Sequence, residues 1–244
     1  MSDLAPMKEQ VYRDPRPAEH FARFHHRSRT REPDWVYEAV RIVTALYSWI
    51  VFRAQVMCAE KVPARGAAIL APNHFSHMDH FFLAVAIRRK VRFMAKSQMF
   101  QRPLQWVYTH GGVFPIRRGF RDEEAMITAH SVLARDGVIA MYCEGGRSRT
   151  GTLAERARRG IGRLALESGA PVVPVAIHGS SRVRNWKRLQ FPRVKILYGD
   201  AIRWERIEAP TPDQQQAVAD AIFAEIKALY ARLERAPVGR PQLA

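Results

Sequence analysis

Histidine is the side chain best suited to moving a proton near neutral pH. This chain places three of them in Pro72-Asn73-His74-Phe75-Ser76-His77-Met78-Asp79-His80. The segment follows Ala67–Ala71, an apolar run that reads as a buried strand. In open α/β sheets, ligands gather beyond the carboxyl ends of strands. In an ideal helix His74 and Asp79 would lie about 140° apart, so a turn must intervene before the carboxylate reaches the imidazole. Asp79 would then fix the tautomer and stabilise the imidazolium, leaving the other ring nitrogen to take a proton from a hydroxyl. No serine sits in a Gly-x-Ser-x-Gly elbow, and Cys143 has no neighbouring His. The pattern therefore points to a base acting on a substrate hydroxyl rather than on an enzyme nucleophile. The spacing of His74, His77 and His80 also suits a metal cluster, but supporting carboxylate ligands are not evident and no metal is expected.

Three further segments end strands. Gly111-Gly112-Val113-Phe114-Pro115-Ile116-Arg117-Arg118-Gly119 offers two guanidiniums, whose planar forks suit phosphate. Tyr142-Cys143-Glu144-Gly145-Gly146-Arg147-Ser148-Arg149-Thr150-Gly151 combines glycines, which permit close backbone approach, with Arg147, Ser148 and Arg149 as donors to an anion. Glu144 either braces those arginines or accepts from a substrate hydroxyl. Pro171–Gly179 reads as a buried strand that Pro174 restricts to an edge or irregular position.

The elements that must position these loops alternate. Strands are expected at Ala67–Ala71, Val91–Ala95, Val113–Ile116, Val138–Tyr142, Pro171–Ile177 and Val194–Tyr198. Helices are expected at about His77–Arg88, from an Asp122 N-cap to a Gly137 stop, at Leu153–Glu167 and at Pro212–Leu233. The fold class is α/β, a mainly parallel sheet flanked by helices. Residues 1–34 lack the apolar core of a secretory signal and read as a mobile arm with at most a short helix around Phe21 and Phe24. Residues 35–53 are interrupted by Glu38 and Arg41 and carry aromatic rings at each end, which fits an amphipathic helix lying in a membrane interface. A helix packed on the domain and a true span are the alternatives. Residues 235–244 form a tail.

The 244 residues are 47% hydrophobic and suit one domain. Two cysteines, Cys58 and Cys143, exclude a disulfide scaffold. The formal charge of +16 is unevenly placed. Arg88–Arg121 holds nine basic residues and no acid, and Ser168–Gly199 holds six and no acid. An anionic partner is expected to meet these stretches. A helix-turn-helix, zinc finger or aromatic RNA-binding signature is lacking, so nucleic acid is not the expected partner.

At these residues the sequence resembles the glycerolipid acyltransferase family of the lysophosphatidic acid acyltransferase type, from about Ala54 to Ile202. His74 and Asp79 match the family's His-x4-Asp motif. Val113–Arg118 is similar to the second block, with Arg118 in the place of its arginine. Glu144, Gly145 and Arg147 match the third block, and Val173-Pro174-Val175 the fourth. Cys143 stands where proline is usual and Gly146 where threonine is usual. The run Glu144–Gly151, with Ser76–Asp79, is similar to the glycerol-3-phosphate acyltransferase branch, whereas the short length and Val113–Arg118 favour the lysophosphatidate branch.

The resemblance implies an acyltransferase α/β domain over residues 54–234, acting in phospholipid biosynthesis. It implies acyl transfer from acyl-CoA or acyl carrier protein to the sn-2 hydroxyl of 1-acyl-glycerol-3-phosphate, with no metal or organic cofactor. His74 would deprotonate the hydroxyl, Asp79 would orient His74, and the alkoxide would attack the thioester directly. Arg117, Arg118, Glu144, Gly145, Gly146, Arg147 and Ser148 would hold the acceptor. The expected place is the cytoplasmic face of an anionic membrane, as a peripheral or monotopic protein. Arg182, Arg184, Lys187 and Arg188 around Trp186 would face lipid headgroups or coenzyme A phosphates. A non-catalytic membrane-binding relative is the alternative from another class.

Overall fold

Short, fully buried apolar runs such as Ala68–Pro72 cannot leave backbone groups unpaired, and here they pair with one another. The computed structural model describes residues 4, 5, 7, 13–189 and 191–235. Its strands are β1 Gln55–Met57, β2 Ala68–Pro72, β3 Val91–Lys96, β4 Val113–Ile116, β5 Val138–Ala140, β6 Val172–His178 and β7 Lys195–Tyr198, in the order β1-β7-β6-β2-β5-β3-β4. All pairings are parallel except that of β6 with β7. The helices are α1 Ala22–Thr30, α2 Trp35–Ile50, α3 Asp79–Ala84, α4 Leu104–His110, α5 Glu123–Leu133, α6 Gly160–Ser168 and α7 Pro212–Arg235.

Strand alternation divides the core. Ile69, Ala71 and Ile139 face a layer of α5, α6 and α7, packed through Ala129, Leu164 and Ile222. Ala68, Leu70 and Val138 face the other way, onto Phe82 and Leu83 of α3 and onto Phe52 just after α2. The loops after β2, β3, β4, β5 and β6 leave the carboxyl edge of the sheet, where the sequence motifs lie.

Several expectations change. Pro174 lies in β6, an interior strand between β7 and β2, and not at an edge. The β7 pairing ends at Val175↔Tyr198, and Pro174 O accepts from Gly199 N at 2.8 Å. A strand residue's N–H and C=O point the same way, so the donor that proline lacks faces the irregular stretch between the Val175↔Tyr198 pair and the Val172↔Ile202 bridge. The helix expected at Leu153–Glu167 begins at Gly160, because the preceding chain is held as a loop: Glu144 Oε1 accepts from Ala154 N at 3.1 Å and Arg158 N donates to Cys143 O at 2.7 Å. The left-handed residue that ends α5 is Asp136 (φ 59), not Gly137, where a Cβ would stand 2.6 Å from Val132 O. Strand β1 and helix α4 carry too little periodicity to be predicted.

The expected arm is docked over residues 13–34. Phe21 and Phe24 are buried against Phe100, with ring centroids 5.1 Å apart for the latter pair. Asp14 is buried, its carboxylate held by Arg16 at 2.7 and 2.9 Å, and Arg16 donates onward to Ser97 O at 2.7 Å and Phe100 O at 2.9 Å. The tail beyond Arg235 and the side chains of Trp186, Lys187 and Arg188 lie outside the described residues.

Candidate active site

Asn73, fully buried at the end of β2, pins its loop to β6 by donating to Ile177 O (3.0 Å) and accepting from Ile177 N (2.7 Å). The chain then turns, Met78 N donating to Ser76 Oγ at 3.1 Å, before α3 begins at Asp79. That turn brings the two ends of the motif together. Asp79 Oδ2 accepts from Phe75 N at 2.6 Å and Ser76 N at 2.7 Å, and meets His74 Nδ1 at 2.9 Å. A carboxylate only accepts, so the ring proton sits on Nδ1 and the lone pair on Nε2. Burial holds the His74 pKa below its ordinary value despite Asp79, so the ring is neutral and able to accept a proton. Below the imidazole lies Tyr142, nearly parallel to it, with centroids 3.8 Å apart and planes 21° apart.

Glu144 is a brace. Its Oε2 accepts from His74 N at 2.7 Å and its Oε1 from Ala154 N, while Ser148 N donates to His74 O at 2.9 Å. The loops after β2 and β5 are thereby sewn together through both polar atoms of the His74 backbone. Burial, helped by the Asp79 charge, pushes Glu144 up to about 7 against these two backbone donors. Ser148 Oγ likewise serves its own loop, donating to Thr152 O at 2.7 Å and accepting from Gly151 N at 3.1 Å. Gly145 takes φ +67 with Arg158 packed over it.

A cavity of about 170 Å³ opens beside His74. Its polar wall carries Lys96, Arg118 and Arg147; burial, then the charges of Arg118 and Arg147, lowers the Lys96 pKa, and burial, then the charges of Arg184 and Arg118, lowers that of Arg147. The remainder is mainly apolar: Val40 and Thr44 of α2, Phe81 and Ala84 of α3, Phe93 and Met94 of β3, and Val107 and Tyr108 of α4. Of the expected acceptor residues, Arg118 and Arg147 reach this cavity. Arg117 does not; its guanidinium lies 4.4 Å from the Phe120 ring centroid. Glu144, Gly145, Gly146 and Ser148 shape the loop rather than line the cavity. Burial depresses His77 to about 4 and His80 to about 3, so both stay neutral. Among the described residues no three His, Cys, Asp or Glu side chains converge as a metal site would need. The sequence reading missed Tyr142, although an aromatic directly before Cys143-Glu144-Gly145-Gly146-Arg147 at a strand end marks a residue bound to meet the neighbouring loop.

Comparison with known proteins bears on this geometry. A family model described as Acyltransferase matches residues 53–178, more than half of the chain and the whole stretch from the His74 loop to the end of β6. The chain belongs to the acyltransferase family. Among its relatives is a chloroplastic 1-acyl-sn-glycerol-3-phosphate acyltransferase of Brassica napus, 24% identical over 54% of this chain and 39% of the relative. Another is a glycerol-3-phosphate acyltransferase of Aeromonas hydrophila, 30% identical over 49% of this chain and 17% of the relative. This acyltransferase thus spans well under half the length of either relative. The fold is that of the crystal structure of the LPA acyltransferase PlsC from Thermotoga maritima, with TM-score 0.66, 18% identity and 91% of each chain covered.

Proposed function

We propose that this acyltransferase moves a fatty acyl group from a thioester to the free sn-2 hydroxyl of 1-acyl-glycerol-3-phosphate at a membrane surface. The observation that carries the reading is the His74–Asp79 pair, with Nε2 available, standing where a three-cation wall meets an apolar groove. Lys96, Arg118 and Arg147 suit the acceptor phosphate, and the groove suits an acyl chain. In the reaction His74 Nε2 takes the hydroxyl proton as the oxygen bonds to the thioester carbonyl carbon. The C–S bond then breaks, and the thiolate leaves with that proton. General-base action contributes about 10²–10⁴-fold, and positioning supplies much of the rest.

Membrane attachment is supported by α2, which turns Trp35, Ile42, Val43, Leu46, Trp49 and Ile50 outward beside Leu104 and Trp106 of α4. Among the described residues no helix is long and apolar enough to cross a membrane, and the 16 residues of α2 reach about 24 Å against a core of about 30 Å. The proposed attachment is therefore peripheral, with α2 lying in one leaflet. Glycerol-3-phosphate as acceptor is a second reading, favoured by the Glu144–Gly151 sequence and the Aeromonas relative.

The deciding experiment offers the purified protein an acyl thioester with each acceptor and reads product masses. Phosphatidic acid is expected from the wild type. His74→Ala is expected to lose at least about 10²-fold in rate, and a variant that kept its rate would overturn the mechanism.

A further inference from the structure

Rings in this protein meet mostly edge-on or tilted, an arrangement that neutral rings favour: Phe24 and Phe100 lie at 55°, Tyr47 and Phe52 at 86°, and Phe52 and Phe82 at 86°. Most histidines follow the same habit, His80 lying at 57° to Phe81 and 61° to Phe93, and His178 at 57° to Tyr230. Among the described residues two pairs are stacked instead, His74 on Tyr142 and His110 on Trp106. In both, the histidine meets an aspartate through Nδ1, Asp79 for His74 and Asp34 for His110. A carboxylate favours the charged imidazole, and the face of an aromatic ring is electron-rich and attracts a cation. The 3.8 Å between the His74 and Tyr142 centroids is also shorter than the spacing of about 4.5–7 Å usual for neutral pairs.

The sheet places Tyr142 for this contact. Beyond the end of β5, Met141 N donates to Leu70 O at 2.9 Å and Cys143 N to Pro72 O at 3.4 Å. The residue between them is thereby registered against β2, the strand that leads into His74. The Tyr142 hydroxyl is buried and has no hydrogen-bond partner among the described residues, which leaves the ring face as what this side chain offers. Burial also keeps the phenol protonated, so the ring stays neutral. The charged groups facing His74 are Asp79 of α3, Arg118 from the turn after β4 and Arg147 from the loop after β5, with Glu144 at its backbone N–H; His77 and His80 beside them are neutral. Burial and the two arginines oppose a charged imidazole, and Asp79 favours it. Resting on the acyl-transfer reading above, we infer that Tyr142 is a positioning residue, whose ring face fixes the plane of the His74 imidazole and stabilises the imidazolium formed when Nε2 takes the hydroxyl proton. That proton then leaves with the thiolate, which returns the imidazole to its neutral form.

The test uses the full chain, titrating the His74 imidazole by NMR and measuring acyl-transfer kinetics. Tyr142→Leu removes the face. Tyr142→pentafluorophenylalanine keeps the ring's shape and reverses the charge of its face, and so decides the matter even where the leucine variant fails to fold. Loss of a desolvated cation–ring contact predicts a His74 pKa lower by about one unit and a kcat lower by about tenfold in both variants. Their KM values for acceptor and thioester are expected to stay within about twofold, because Tyr142 acts through His74. The conservative Tyr142→Phe keeps the face, and is expected to restore the pKa and bring kcat back to within about threefold of the wild type. A His74 pKa that holds or rises in Tyr142→pentafluorophenylalanine would overturn the inference. So would a loss that falls on KM, or a Tyr142→Phe variant as slow as Tyr142→Leu, which would assign the effect to the hydroxyl. The titration needs no turnover: a wild type that transfers no acyl group refutes the acyl-transfer reading, while the pKa difference between variants still reads the stack.

Discussion

At the scale of single residues, the site is a neutral imidazole whose proton is placed by geometry. Burial lowers the His74 pKa, and in the proposed mechanism the base form is the active one. The acid limb of kcat/KM is therefore expected below the ordinary histidine value of about 6.5, read from a pH–rate profile. A limb above that value would contradict a buried base. In that mechanism Glu144 would act through His74, from whose backbone N–H it accepts, rather than on substrate. Glu144→Gln turns one of two acceptors into a donor facing a backbone N–H, a change of about 1–3 kcal/mol. The expected result is a kcat reduced about tenfold or more with both KM values little changed, and faster hydrogen exchange at the His74 amide. His80 carries a stability consequence. Its folded pKa of about 3 lies below the ordinary 6.5, so the unfolded chain binds the extra proton. Stability is thus full above pH 6.5 and falls as pH drops toward 3, by up to about 1.4 kcal/mol per unit. Replacing His80 by Phe is expected to flatten the urea midpoint measured between pH 6.5 and 5.

At the scale of elements, α2 is fixed at its start and, among the described residues, exposed along its outer face. Asp34 caps it by accepting from Val36 N at 3.1 Å, and also holds Arg27 at 2.8 Å and His110, so one carboxylate joins α1, α2 and α4. Asp34→Ala is expected to cost about 1–2 kcal/mol, seen as a Tm lower by about 2–6 °C. Burial points the other way on the outer face. Val43 and Ile50 are 66% and 74% exposed, so Val43→Asp/Ile50→Asp leaves the packed interior untouched. Its Tm is expected to hold while sedimentation with anionic vesicles weakens about tenfold or more, since each side chain loses the apolar transfer it would gain in the leaflet. Retained vesicle binding would refute an interfacial α2.

At the scale of the whole molecule, five parallel strands, β2 to β6, end at one edge, and each delivers a loop there. That edge was legible from the alternation of apolar runs and helical stretches, because strand periodicity and helix caps are local properties. The His74–Asp79 spacing, the Arg118 and Arg147 positions and the +16 charge were legible for the same reason. What the chain order could not carry is contact between distant residues. Glu144 and His74 are 70 positions apart, so a hydrogen bond between them leaves no spacing to read. Arg117 and Arg118 are adjacent in sequence, yet one lies on Phe120 and the other lines the cavity, because the chain leaves β4 and enters a turn between them. Pro174 read as an edge or irregular position, and the second holds: the break in pairing beside it makes an interior place tolerable. The amino-acid sequence by itself determined the chemistry available and the elements that hold it. The tertiary structure decided which groups line the cavity and which brace the loops, because that depends on pairings the packed sheet makes between segments far apart in the chain.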